Sequence, residues 1–214
     1  MLGLLGSHRV GKSTLAKAFS ESSGALNVKM DVGALQKELG YDSSNQSYDF
    51  DTRMKIQEHL LKRFGEIYAP FKGMAAVCDR TPLDLIGYTM LAVNDALTDA
   101  QSERLMRYVD DCINMTNEHF TALVLLQPGV PLKDAETSAK SCPALMEKLN
   151  LIYLGVITDE RTVVPHFYIP RSMISLNQRL RACELALKRA MEKKPKVSFI
   201  PKLGGVEFAT AVLQ

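Results

Sequence analysis

One run, Gly6-Ser-His-Arg-Val-Gly-Lys-Ser-Thr14, constrains this chain more than any other. Its spacing is Gly-x4-Gly-Lys-Ser. It follows the apolar residues Met1 to Leu5, and Leu15, Ala16, Ala18 and Phe19 give the next segment a helical pattern. Strand, glycine-containing turn and helix together build an anion cradle. Glycine admits backbone angles that a Cβ obstructs. Successive N–H groups then turn inward as a nest, and the helix N-terminus adds partial positive charge. In this reading Gly6, Ser7, His8, Arg9, Val10, Gly11, Lys12, Ser13 and Thr14 contact ATP. Lys12 bridges the β- and γ-phosphates, Ser13 turns its hydroxyl to Mg2+, and Thr14 is a supporting contact. Arg9 borders the transferred phosphoryl group or its acceptor. For Arg9 and His8, a plain solvent-facing loop position is the alternative.

Short apolar runs at 2–5, 27–30, 74–78, 121–126 and 167–169 read as strands, with residues 197–200 as one more candidate. Helical patterns cover 12–20, 32–39, 51–68, 83–93, 101–117, 144–154 and 176–193, with Thr98 as a cap. Residues 41–49 read as a polar loop. Strands alternating with helices give an α/β fold: a three-layer sandwich, its mostly parallel five-stranded sheet covered by helices on both faces. A length of 214 residues with 46% hydrophobic content suits one domain over 1–214. Residues 128–165 form a candidate lid, and 171–214 a basic helix and tail.

A second motif narrows the chemistry. The strand at 74–78 delivers Asp79-Arg80-Thr81-Pro82-Leu83-Asp84. No Asn-Lys-x-Asp guanine reader is present, which argues against a GTPase. A motor would end this strand with paired acids, but the second position here is Arg80. Asp79 can hold Mg2+ or take a proton from an acceptor hydroxyl. Arg80 can clamp a phosphate or neutralise developing charge. An ordinary helix-capping pair is the structural alternative. Asp31, ending the second strand, is either an acceptor-side base or the N-cap of the next helix. Tyr41, Tyr48 and Phe50 either stack on a base or pack a loop.

Taken together, Gly6 to Thr14 and Asp79 to Asp84 resemble the nucleoside and nucleotide kinase branch of the P-loop fold. They look most like phage and bacterial kinases related to the nicotinamide riboside kinase domain. Phage deoxynucleoside monophosphate kinases and kinases of 5-hydroxymethyluracil in phage DNA lie in the same neighbourhood. The resemblance implies a P-loop core, ATP with Mg2+ held by Ser13 and Asp79, and an acceptor pocket bordered by Asp31 and Asp79-Arg80. The acceptor would be a deoxynucleoside monophosphate, a nucleoside, or a 5-hydroxymethylpyrimidine in DNA. Lys12, Asp79, Arg80, Arg9 and Asp31 would carry the catalysis. A nucleotide-binding ATPase without an acceptor is the rival reading. Arginines that close many kinase lids are sparse here: the segment offers Lys133, Lys140, Lys148 and Arg161, with Arg171 after the fifth strand.

Charge excludes little. The formal net charge is +2, which neither demands nor forbids a polyanion. Arg179, Arg181, Lys188, Arg189, Lys193, Lys194 and Lys196 give the last helix and its extension a basic character. They form either a solvated face or a phosphate-backbone contact. Four separated cysteines fit a reducing compartment. With no apolar run near the length of a membrane span and no signal-like start, a cytoplasmic protein is expected, in the host cytoplasm if phage-encoded.

Overall fold

The computed structural model of the chain describes residues 1–41, 48–93, 96–130 and 142–192. β1 (Leu2–Leu5) leads through the glycine-containing loop into α1 (Lys12–Ser23). β2 (Leu26–Val28) is followed by α2 (Val32–Glu38) and α3 (Phe50–Tyr68), and β3 (Ala76–Cys78) by α4 (Pro82–Ala92) and α5 (Asp99–His119). β4 (Ala122–Leu126) precedes α6 (Pro143–Ile157), and β5 (His166–Ile169) precedes α7 (Leu176–Glu192). The five expected strands and seven expected helices all form, most with ends moved by one to three residues. The third strand starts late because Gly73 turns the chain in the left-handed region (φ +80°) and Met74 stays exposed. Thr98 caps α5 in a reciprocal box with Gln101. The candidate strand at 197–200 lies outside the described residues.

All four strand pairings are parallel, in the order β2-β3-β1-β4-β5. β1 therefore lies between β3 and β4, the strands on which the chain goes first to one side and then to the other. That reversal opens a crevice at the carboxyl ends of β1 and β3, where open α/β sheets hold ligands. Successive β1 residues face opposite sides. Leu2 and Leu4 join the core beneath α1 and α7, while Leu5 joins the core beneath α3, α4, α5 and α6. Gly3 faces that second core, and a Cβ there would lie 2.7–2.9 Å from Phe120, Thr81 and Leu123. Its missing side chain lets Thr81, and with it the start of α4, sit close to the sheet.

The candidate lid divides. Residues 131–141, with Lys133 and Lys140, lie outside the described residues. α6 packs against α4, and its Leu149, Tyr153 and Ile157 share one buried cluster with Leu83, Leu85 and Ile86. Gly87 of α4 is the contact point, since a Cβ there would come within 2.1 Å of the Tyr153 ring.

Candidate active site

The loop after β1 owes its shape to three unusual residues. Gly6 (φ +149°), Arg9 (φ +62°) and Gly11 (φ +87°) all have positive φ. At Gly6 a side chain is excluded outright, because a Cβ would meet the Leu126 carbonyl oxygen at 2.7 Å. Arg9 adopts the left-handed region with a full side chain, an unfavourable state of the kind found at functional loops. Gly11 is the N-cap of α1 and offers no side chain to cap it. The first-turn N–H groups are thus left for a ligand.

Lys12 is 6% exposed and folds back over the loop, donating to the carbonyl oxygens of Gly6 and Ser7, the latter at 2.9 Å. Burial pulls its pKa down to about 8, against the opposing pull of Asp84. Ser13 donates its hydroxyl to Oδ2 of Asp79. The loop and the end of β3 are therefore in direct contact. Oδ1 of Asp79 is buried with no hydrogen-bond partner among the described residues. Ser7 Oγ and His8 Nε2 share that condition. Burial, then the charges of Lys12, Arg80 and Arg9, lower the His8 pKa. Both effects favour the uncharged imidazole.

Arg80 faces the loop across a cleft of about 210 Å3, lined on the other side by His8, Arg9, Gly11, Lys12, Ser13 and Thr14. Three cations, Arg9, Lys12 and Arg80, thus border one small space sized for phosphate groups. Two residues steady Arg80. Tyr68, buried at the end of α3, donates to its carbonyl oxygen at 2.9 Å. The Tyr88 ring lies 5.9 Å from its guanidinium, and the Tyr88 hydroxyl neighbours both that group and the backbone of His8.

Asp84 is a site residue to which the sequence reading gives no role. It occupies the third position of α4, where Oδ2 accepts from the Thr81 N–H at 2.8 Å and the Thr81 hydroxyl at 3.0 Å. Its Oδ1 has no hydrogen-bond partner among the described residues and lies 3.7 Å from both Lys12 Nζ and Arg80 Nη1. The residue is 1% exposed, and burial raises its pKa against the pull of the two cations. The Thr-Pro-x-Asp pattern signals the cap, but a chain pattern carries no sign of which cations the second oxygen will meet. Tyr88 was equally invisible, one aromatic on an apolar helix.

The remaining candidates are placed as follows. Asp31 is exposed and caps α2, accepting from Ala34 N–H at 3.0 Å. It follows β2 and so lies at the carboxyl edge of the sheet, as the loop and Asp79 do. Tyr41 and Tyr48 meet edge to face at 5.3 Å, and both pack with Phe50 against the core. Arg161 precedes β5, at the opposite edge of the sheet from the loop. There it pairs with Asp110 at 2.7 Å and Asp159 at 2.8 Å, so it is no part of a lid over this cleft. Arg171 pairs with Glu147 of α6 at 2.7 Å.

The donor set suits a hard divalent cation in part. Ser13 Oγ and the unused Oδ1 of Asp79 are adjacent oxygens, and Mg2+ completes such a pair with water and substrate phosphates. No group of three or more His, Cys, Asp or Glu suited to a metal occurs among the described residues.

An all-parallel five-stranded sheet covered by helices, with a glycine-containing loop after the central strand, is the P-loop fold, and solved structures share it. Deoxyadenosine kinase from M. mycoides, solved with the products dCMP and a flexible dCDP, has a TM-score of 0.57 at 15% identity, covering 90% of this chain and 99% of that one. NadR protein in complex with NR has a TM-score of 0.61 at 13% identity, covering 91% of this chain and 51% of that one. YorR from Bacillus subtilis, in complex with phosphorylated GDP, has a TM-score of 0.50 at 13% identity, with 90% and 98% covered. No protein-family model matches the chain, and no curated protein does. Among the described residues no helix is long and apolar enough to cross a membrane.

Proposed function

We propose that the protein is a Mg2+-ATP-dependent kinase that transfers the γ-phosphoryl group to a nucleoside- or nucleotide-type acceptor. The observation that carries this reading is the convergence of Lys12, Ser13 and Arg80 on one cleft, with Ser13 bonded to Asp79. An isolated phosphate loop fits many activities. Asp and Arg together across from it favour group transfer over water activation. The solved neighbours with nucleosides and nucleotides in their sites support the acceptor class.

In this mechanism the loop N–H groups and Lys12 hold the triphosphate. Ser13 and Asp79 would hold Mg2+, which would supply positive charge against that of the phosphates. Arg80 and Arg9 face the transferred group, where negative charge shifts during reaction. The bond from phosphorus to the ADP oxygen breaks as the acceptor oxygen bonds to phosphorus. The acceptor proton passes to Asp31 or Asp79. Asp84 holds Lys12 and Arg80 on either side of the path. Exclusion of water falls to whatever closes the cleft, and Arg161 has no part in it.

Labelled ATP offered with a panel of nucleosides, nucleotides and 5-hydroxymethyluracil-containing DNA tests the acceptor. Label in a small-molecule acceptor supports this reading, and label in DNA alone moves the protein to the DNA-base class. Phosphate release that no acceptor stimulates would instead make it an ATPase. Lys12→Ala should lower turnover by orders of magnitude while the chain still folds, because phosphoryl transfer is mostly positioning and electrostatics. Near-wild-type turnover in that variant rejects the site.

A further inference from the structure

A different arginine reaches the phosphate loop from behind. Arg179, in the first turn of α7, is 3% exposed although it belongs to a basic amphipathic helix. Its Nε donates to the Met173 carbonyl at 2.6 Å and its Nη1 to the Val10 carbonyl at 2.8 Å. Its Nη2 is buried with no hydrogen-bond partner among the described residues. Among the described residues its titratable neighbour is the Cys183 thiol, and no carboxylate pairs with it. A buried guanidinium without a counter-charge is a costly placement. Packing alone would be served better by an apolar side chain.

The bond falls at a telling place. Val10 lies between Arg9 and Gly11, the two neighbouring residues with left-handed φ. In a trans peptide the C=O and the next N–H point in opposite directions. With the Val10 carbonyl held toward α7, the Gly11 N–H points away from α7, on the side of the cleft that Gly11 lines. Rotation of that one peptide plane would turn this N–H away, and glycine makes such rotation easy. We infer that Arg179 is a positioning residue for nucleotide binding: it locks the Val10–Gly11 peptide so that the Gly11 N–H is presented to a phosphate oxygen. Its charge, behind the loop, also finds its counter-charge in the bound phosphates. This rests on reading the loop as a triphosphate site and on nothing about the acceptor.

The test is binding, measured by calorimetry on the full chain with Mg-ATP and with inorganic tripolyphosphate, which reports on the loop alone. Arg179→Lys keeps a charge but cannot fork onto two carbonyls. Arg179→Ala removes the group. Both are expected to weaken ATP and tripolyphosphate by about tenfold or more, the worth of one hydrogen bond to a charged ligand. Guanidinium chloride should restore affinity to Arg179→Ala, and equimolar sodium chloride should not. If Arg179→Ala does not fold, Arg179→Lys decides. Folded variants that bind within twofold of wild type overturn the inference, as does loss for ATP with tripolyphosphate unaffected. Wild-type protein that binds neither ligand overturns the triphosphate reading and this inference together.

Discussion

Asp84→Asn is the substitution that most directly questions the site. The side chain keeps its shape, and its amide oxygen can still accept from Thr81. Only the charge between Lys12 and Arg80 is lost. At 3.7 Å, and with an effective dielectric of about 20, each of those pairs is worth roughly 4–5 kcal/mol before desolvation. Desolvation of the carboxylate offsets much of this. Removing one member of a buried pair still costs about 3–5 kcal/mol, and we expect the lower end because the cap survives. The second consequence is sharper. Lys12, already held at about 8, loses the anion that supports its charge and should fall by roughly one to three further units.

Lys12 is therefore the readout. In wild type its proton is lost as pH rises through about 8 in the nucleotide-free protein. In Asp84→Asn that loss should occur at a pH lower by about one to three units, while ATP binding recovers when the medium is acidified. Urea unfolding measures the stability term, and a pH series of ATP affinity measures the electrostatic one. A general loss of structure would lower affinity without moving the midpoint. An unmoved midpoint together with a stability loss below about 1 kcal/mol would refute the assignment of Asp84 as the anion holding both cations.

Four further outcomes are expected. Bound phosphates should raise the Lys12 pKa from about 8, so ATP binding above that pH takes up a proton and weakens as pH rises; calorimetry in buffers of different ionisation enthalpy detects the uptake. Arg9→Gly should change stability by no more than about 1 kcal/mol, since relief of the left-handed strain offsets the added freedom of the unfolded chain, yet lower kcat at least about tenfold; an unchanged kcat removes Arg9 from the machinery. Gly87→Ala should destabilise by about 1–3 kcal/mol in urea, rather than give the usual helix gain, because its Cβ would lie 2.1 Å from Tyr153. Asp31→Asn preserves the cap of α2, asparagine being as good an N-cap as aspartate, so a large fall in kcat with unchanged stability identifies Asp31 as the base and an unchanged kcat leaves Asp79.

What was legible in the sequence followed from local rules. The loop, its strand and its helix are contiguous, so spacing and periodicity suffice to place Lys12 and Ser13. The strand order was not written in any one segment, although alternating strands and helices imply parallel pairing. Asp79 and Arg80 could be chosen because strand ends on such a sheet share an edge. Arg179 was hidden for the opposite reason. Its neighbours Arg181, Lys188 and Arg189 are exposed, and the helical period puts it one position in four onto the buried stripe with Cys183, Ala186 and Ala190. A basic residue on an apolar stripe was the available signal. That it meets Val10, far earlier in the chain, depends on tertiary packing alone. Arg161 shows the same limit in reverse, since nearness in sequence to a candidate lid said nothing about the edge of the sheet it occupies.

The three carboxylates of this site divide by what surrounds them. Asp84 has one oxygen held by Thr81, the other walled by two cations, and almost no exposed surface. In the proposed reaction its charge would serve to hold the two cations rather than to take a proton. Asp79 has one oxygen on Ser13 and one unused, which suits the joint tasks of holding a cation and meeting substrate. Asp31 stands exposed on a helix cap, with one oxygen accepting from the Ala34 N–H. The cleft also carries its own counter-ion, because Asp84 lies 3.7 Å from Lys12, and in the proposed reaction nucleotide phosphates would be a second anion there. Arriving phosphates compete with that carboxylate for the ammonium. They need not dislodge it, since Lys12 can face both, and the cost of burying its charge falls once a second anion is present.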